Sequence, residues 1–522
     1  MKRPATRIGD SPLTLGPARR PAAPRTLSAA TATLAAFAAA CSLAPPPRVA
    51  EPAADLPDSY DLPGGGAPEA PGDEAAPRPA QWWEGFQDPA LNRLVETALV
   101  GNLDLQEAIW RLEELRYRYR IARSHLMPTV NLGIDGNRSD APSNTGLGGA
   151  IGGDNDLGGF QFPDRFEFTT YSASLGFSYE LDFWGRLRND SRASVRDFLA
   201  SRGDAETVRV TVIAATISGY LEVAALRGQL ALARESDELM RERVELTEAR
   251  YRAGLVGSFE LYGTRQTSLT TESELFDLRT ALTDAEGRLA VLLGQHAGTL
   301  GELLPDELRP SADLARIPAG LPVALLEQRP DVAAAYERME AARFRVGARR
   351  AEMLPRLTLS GAGGFQSGEP SSLLRPDQWF MNLLGGLTAP IFQGGRLRAN
   401  LGVAGAQYEQ AVTAWSRTVL NAYREAHVSL SRLDNERERY MRVARGSQEA
   451  LASMEEQLER YTSGVTPYVA YVDARLNYNR SETARLQALR SLGEARLQVH
   501  RALGGAWTEN ETAPNRNGAE GQ

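Results

Sequence analysis

The residues able to do chemistry in this chain are few and far apart. His125, His296, His427 and His500 have no second His or Cys nearby at a metal-binding spacing. The stretch GAGGFQSG from Gly361 lies in an alternating, strand-like pattern with no helix after it, so it fails the spacing of a dinucleotide fingerprint. No phosphate loop and no G-x-S-x-G elbow occurs. GGDNDLGG from Gly152 is acidic but lacks the Glu that closes a calcium loop. The expectation is a protein that is not an enzyme, with no cofactor and no metal. A thiol and a carboxylate remain. Cys41 is the single cysteine, which excludes an intramolecular disulfide, and it follows Ala38, Ala39 and Ala40. Asp473 lies in YTSGVTPYVAYVDAR, near a helix start, where the helix dipole favours a carboxylate by under about 1 kcal/mol. Gathered around an axis, copies of Asp473 would instead form an acidic ring, a recurring selectivity device in pores. The residues alone leave both readings open.

The setting of Cys41 gives the thiol a use. Lys2, Arg3, Arg7, Arg19, Arg20 and Arg25 precede the uncharged run TLSAATATLAAFAAAC. A basic region, an apolar region and small residues predict a secretory signal over 1–40. The ending resembles a lipobox, in which the thiol receives a diacylglyceryl group and the new N-terminus an acyl chain; two or more chains anchor stably where one does not. Ser42, in place of Asp, favours the outer membrane. Residues 41–80 then read as a lipidated tether rich in Pro, Ala and Gly, and 508–522 as a disordered tail. Residues 1–40 carry six basic side chains and one acidic, Asp10, a net +5, so the rest of a −8 chain carries −13. That balance argues against nucleic acid as a partner. Past the leader there is no uncharged apolar run of the 18 or more residues a spanning helix needs, so any membrane crossing must use strands.

The elements that position these residues come in pairs. FWGRLRND at 183–190 returns as QGGRLRAN at 393–400, with Gly185 matching Gly395 at an offset of 210 that persists to LLGQ at Leu292 and ALGG at Ala502. Upstream, HLMPTVNLG from His125 matches EMLPRLTLS from Glu352 at an offset of 227. Two long units indicate an internal two-fold repeat from duplication, since solenoid periods are about 20–50 residues. The first unit, 81–299, is helical from Leu91 to Leu126, then predicts strands near 129–139 and 166–181 and helices over 186–252 and 258–294. A linker over 300–327 leads to the second, 328–507, with strands near 356–367 and 379–392 and helices over 395–462 and 467–504. Loop residues dominate 140–164. Each strand alternates an apolar, often aromatic face with a small polar one, the pattern of a membrane β-barrel. Leu275, Leu278, Leu282, Ala285, Leu289 and Leu292 step 3, 4, 3, 4, 3, a heptad seam that needs a neighbouring helix. Gly254 and Gly464 suit the left-handed position that closes a helix, with Ser258 capping the next helix in one copy and Thr466 before Pro467 in the other. Two helical hairpins therefore point to one end of the molecule and the strands lie at the other.

Four strands cannot close a barrel, and an open edge in lipid leaves backbone groups unsatisfied at several kcal/mol each, so copies must associate. Two copies give eight strands and a filled interior, while three give twelve and a lumen. Together with CSLAPPP at Cys41, the motifs WWEGFQDPALNRLVETAL, LPVALLEQRPDVAAAYERMEAAR from Leu321, GGRLRAN, YTSGVTPYVAYVDAR and ALGGAW make the chain resemble, over about 41–507, the TolC-like outer-membrane efflux proteins, in particular their lipid-anchored branch. The resemblance implies an α+β membrane protein: a homotrimer with a twelve-stranded outer-membrane β-barrel, four strands per chain, continuous with a long periplasmic α-helical barrel. It implies a membrane-fusion (adaptor) protein and an inner-membrane transporter of the resistance-nodulation-division class as partners, besides outer-membrane lipid. It places the periplasmic gate at Val469 and Asp473, with Gly254 and Gly464 at the tips that meet the adaptor. In the first unit Gly263 stands where Asp473 stands in the second. Competing readings are a duct for type I protein secretion and a lipid-anchored coiled-coil scaffold that forms no channel.

Overall fold

The computed structural model describes residues 43–46, 81–142, 165–305, 308 and 329–504. Cys41, the leader, most of the tether, most of the linker and the tail expected over 508–522 lie outside these residues. The described elements are α1 (Pro89–Gly101), α2 (Leu103–Ser124), β1 (Thr129–Pro142), β2 (Arg165–Leu181), α3 (Arg186–Arg252), α4 (Ser258–Leu292), α5 (Pro330–Ala351), β3 (Arg356–Ser367), β4 (Trp379–Thr388), α6 (Arg396–Thr462) and α7 (Tyr468–Ala502). At 1.5 Å per residue, α3 and α6, 67 residues each, are about 100 Å long. Each starts after a glycine in the left-handed region, Gly185 at φ 72° and Gly395 at φ 80°.

The helical pattern from Leu91 to Leu126 is two helices, not one. Asp88 starts α1: its Oδ1 accepts the N–H groups of Ala90 (2.9 Å) and Leu91 (3.3 Å), while Tyr220 of α3 donates its hydroxyl to Oδ2. Asn102 breaks the pattern and serves two helices at once. Its Oδ1 accepts the Leu105 N–H at 2.9 Å, capping α2, and its Nδ2 donates to the Leu292 carbonyl at 2.9 Å, satisfying the end of α4.

The heptad seam of α4 is part of a core. Ile213, Ile217, Tyr220 and Leu221 of α3 pack with Trp82, Trp83, Phe86, Leu91 and Leu94 and with Ala285 and Leu289 of α4. Fully buried Leu94, Ile217 and Leu289 each contribute roughly 1.5–3 kcal/mol. Among the described helices, α3 alone has a window long and apolar enough to cross a bilayer, and 56 % of that window is buried within the chain. A second core joins Val332 of α5 to Trp415, Val419, Ala426 and Leu430 of α6 and Val499 and Ala502 of α7.

Arg329, just before α5, ties these three helices. Its guanidinium donates to the Ala502 carbonyl (2.6 Å), to Asp331 (2.7 Å) and to Glu425 (3.0 Å) from a nearly buried side chain. Arg329→Met leaves the carbonyl and both carboxylates short of a donor, and we expect a loss of about 2–3 kcal/mol, read as a lower thermal midpoint.

The strands form one antiparallel sheet in the order β1-β2-β3-β4. Its register aligns Ile134 with Ala173, Phe365 and Trp379, and Leu132 with Leu175, Gly363 and Met381, so this face carries an apolar band across all four strands, while its far end on β1 and β2 holds the Arg138–Glu167 and Arg165–Asp140 ion pairs. The other face aligns Asn131, Gly176, Ala362 and Asn382. Leu132, Ile134, Met381 and Leu383 are exposed, and among the described residues no strand lies beside the outer edges of β1 and β4. The first strand continues to Pro142, beyond the expected 139, and the last ends at Thr388, short of 392. Pro390 follows and cannot donate to a ladder, leaving Ile391 and Phe392 fully exposed.

Candidate functional site

The end of the chain away from the sheet is formed by the turns between α3 and α4 and between α6 and α7. The two turns have one geometry. Gly254 sits at φ 73° and Gly464 at φ 75°. Gly254 N–H donates to the Tyr251 carbonyl (2.9 Å) and Leu255 N–H to Arg250 (2.9 Å); Gly464 donates to Tyr461 (2.9 Å) and Val465 to Arg460 (2.8 Å). These are Schellman closures, which only glycine enters without strain. The helix starts differ from the sequence expectation. Gly257 occupies the N-cap of α4, so Ser258 is its first residue and does not cap it. Pro467 occupies the N-cap of α7, and the Thr466 hydroxyl is buried without a hydrogen-bond partner. In both copies the tight glycine turn brings the chain straight into the next helix. Leu255, Phe259 and Val465 stand exposed around the tips.

Val469 lies half-buried in the first turn of α7 and Asp473 is exposed one turn on. Asp473 is not free: its Oδ1 accepts a hydrogen bond from Arg243 of α3 in an ion pair that joins the two hairpins. Further ties run along the same groove. Tyr468 donates its hydroxyl to Glu242 at 2.7 Å, Arg475 pairs with Glu235, and Asn479 Nδ2 donates to the Ser236 hydroxyl at 3.1 Å. The Glu242 hydrogen bond pushes Tyr468 up to about 12, so its hydroxyl stays a donor throughout the physiological range. Met240, Val472 and Leu476 pack beneath these polar ties. Arg243, Glu242 and Glu235 were not singled out from the sequence. Their only sequence signal is charge at seam positions of α3, in ESDELMRERVE from Glu235.

Arg186 and Arg396, in the doubled phrase, are not alike. Arg186 pairs with Glu180 at the end of β2 (2.8 Å), holding strand to helix, whereas Arg396 is exposed and bonds Gln393. The segment 43–46 lies on α5: Arg343 donates to the Pro45 carbonyl (2.8 Å) and Arg350 to that of Leu43 (3.3 Å). A Cβ at Gly347 would lie 2.7 Å from the Ala44 nitrogen, so the glycine is what lets the segment approach. Among the described residues no group of three or more His, Cys, Asp or Glu is arranged to hold a metal.

A tall apolar sheet face at one end and a tied pair of hairpins at the other are the geometry of a duct wall. The outer membrane efflux protein family matches residues 94–295 and 321–505. The chain belongs to that family. Outer membrane protein OprJ of Pseudomonas aeruginosa is 32% identical over 482 residues, 91% of this chain and 94% of that protein. Pyoverdine export outer membrane protein OpmQ of Pseudomonas putida is 31% identical over 430 residues, 82% of this chain and 88% of that protein. Among solved structures, the Campylobacter jejuni CmeC outer membrane channel matches with a TM-score of 0.78 at 25% identity, covering 90% of this chain and 96% of that one. This efflux protein is therefore an outer-membrane channel of a Gram-negative bacterium that extends into the periplasm, the passive exit duct of a tripartite efflux system.

Proposed function

We propose that the channel is a homotrimer in which three four-stranded sheets close a twelve-stranded barrel, with the helical hairpins forming a second, periplasmic barrel below it. The observation that carries this reading is the sheet itself: an exposed apolar band across all four strands, an opposite face on which small and polar residues predominate, and two edges with no described strand beside them. In hydrocarbon such edges need partners, and twelve strands leave a lumen lined by the polar face. On this reading α6 and α7 descend from the second half of the sheet as α3 and α4 do from the first, each half of the duplicated chain supplying two strands and one hairpin. Cys41 carries the lipid, in an outer membrane that also receives the apolar band. The tips at Gly254 and Gly464 meet a membrane-fusion adaptor fed by an inner-membrane transporter of the resistance-nodulation-division class. Val469 and Asp473 line the constriction there. The test uses the full chain extracted in detergent. Native mass spectrometry should give three subunits, each heavier than its polypeptide by the lipid unless Cys41 is replaced by alanine, and planar bilayers should show stepwise conductance. A stable lone subunit without conductance overturns the reading.

A further inference from the structure

Resting on the reading that the apolar band of the sheet spans the bilayer and Cys41 carries the lipid, we propose that the outward side of the helices just below the sheet binds anionic phospholipid. Arg120 and Arg123 of α2, Arg192 of α3 and Arg350 of α5 hold the headgroup phosphates of the leaflet that faces the periplasm.

The helix ends set the depth. β1 starts at Thr129, β2 ends at Leu181 and β3 starts at Arg356; the register pairs Thr129 with Ser178 and Leu181 with Leu357, so these strand ends lie at one level. Exposed Met127, Phe183 and Met353 stand in the turns just beyond them. At 1.5 Å per residue, Arg120, Arg123, Arg192 and Arg350 all lie within about 10 Å of the sheet-side ends of their helices. A headgroup layer is about 5–8 Å deep, and a long arginine stem can lie along apolar surface to bring its charge into that layer.

The tether fixes which side is outward. Segment 43–46 lies along Arg343, Gly347 and Arg350 of α5, and Leu43 stands two residues after Cys41 in the sequence. Arg192 of α3 shares that side, because its guanidinium and that of Arg343 lie 5.8 and 4.5 Å from the same Phe344 ring. At 100° per residue, Arg338, Arg345 and Arg349 lie about 160–180° round α5 from Gly347, on the inner side, where Arg345 pairs with Asp197 of α3. Arg118 of α2 is within electrostatic reach of Asp197 and belongs to that inner side. Arg116, Arg120 and Arg123 lie about 140–160° round α2 from Arg118, which returns them to the side of the tether.

The two sides differ in charge. On the inner side Arg338 pairs with Asp204, Arg345 with Asp197, Arg349 with Glu352 and Arg118 with Glu114. On the tether side Glu113 meets Arg116, Asp182 meets Arg188 and Glu340 meets Arg343, which uses up the carboxylates there. Among the described residues no carboxylate pairs with Arg120, Arg123, Arg192 or Arg350. Arg120 lies over the Tyr117 ring at 5.3 Å and Arg350 donates to the Leu43 carbonyl, contacts that leave both charges uncompensated. In a chain of net charge −8 this is a local excess of positive charge. The other end of the sheet has none: Arg138 and Arg165 are paired there with Glu167 and Asp140. A phosphate with no cation of its own complements the excess, and acyl chains beside it cover Met127, Phe183 and Met353, which a soluble anion cannot do.

The test is native mass spectrometry of the delipidated full chain in detergent, titrated with phosphatidylglycerol or with phosphatidylcholine of the same acyl chains. Phosphatidylglycerol should bind more tightly, and the preference should fall as salt is raised. An arginine near an anionic surface is worth about fivefold in affinity, so R120Q/R123Q/R192Q should weaken phosphatidylglycerol binding by roughly a hundredfold and leave phosphatidylcholine binding as it was. R120K/R123K/R192K keeps the charges but loses the flat guanidinium contacts with Tyr117 and Phe344; it should restore the preference, which a packing role would not. Arg123→Gln alone, at an exposed side chain, covers a triple variant that fails to fold and should cost about fivefold. Inorganic phosphate at the lipid's own concentration should displace nothing. Equal binding of the two lipids, a preference kept in R120Q/R123Q/R192Q, or displacement by inorganic phosphate overturns the inference and, where three subunits persist, spares the trimer. A lone subunit overturns both.

Discussion

Asp473→Ala channels should conduct more current than the unaltered protein and prefer cations less. The substitution removes one tie and one charge per copy. The Arg243 pair is half-exposed, a class worth about 0.2–1 kcal/mol, so in the proposed trimer three copies loosened together would shift the balance of closed and open by up to about a hundredfold. The charge acts separately. Three carboxylates around a narrow axis raise the local concentration of cations, and alanine abolishes that. Arg243→Ala separates the two effects because it cuts the tie and keeps the acidic ring. Its conductance should rise like that of Asp473→Ala, with cation preference retained. Single-channel recordings with reversal potentials in asymmetric salt read both quantities. Unchanged conductance in both variants would remove Asp473 from the constriction.

Gly294→Ala should be among the most destabilising single substitutions in the chain, at about 2–5 kcal/mol. Gly294 sits at φ 68°, where an L side chain is strained by about 1–2 kcal/mol, and its Cβ would press into the carbonyl of Gly101 at less than 3.0 Å. Displacing packed backbone adds about 1–3 kcal/mol. Gly101→Ala meets the Leu293 carbonyl from the other side but has no positive φ, so it should cost only the clash, about 1–3 kcal/mol. Asn102→Ala, next to this contact, loses a cap rather than gaining a clash and should lose only about 1–2 kcal/mol. Thermal unfolding in detergent orders the three. Equal midpoints for Gly294→Ala and the unaltered protein would contradict the close approach.

Much of the fold could be read from local pattern, and what could not depends on contacts between distant segments. The seam Leu275, Leu278, Leu282, Ala285 and Leu289 and the glycines at 254 and 464 announce themselves because periodicity and backbone conformation are local properties. The alternation of apolar and small polar residues within each strand does so for the sheet. The break at Asn102 was missed because Gly101 and Asn102 read as tolerable inside a helix until Leu292 and Gly294 are placed beside them. The packing of α2 and α5 has no local signature, since only the fold brings α5 between α3 and α6. At the candidate site the sequence pointed to Asp473 and left its environment open between dipole and ring. Arg243, 230 positions away, belongs to neither alternative and has no local signature.

The sheet also constrains the life of the chain before it arrives. In water its broad greasy surface and two raw edges invite any other extended segment to add on, a hazard that grows with time and concentration. A newly exported copy therefore has two fates open to it, capture by its own kind at the bilayer or irreversible clumping on the way. The crossing must be brief or escorted.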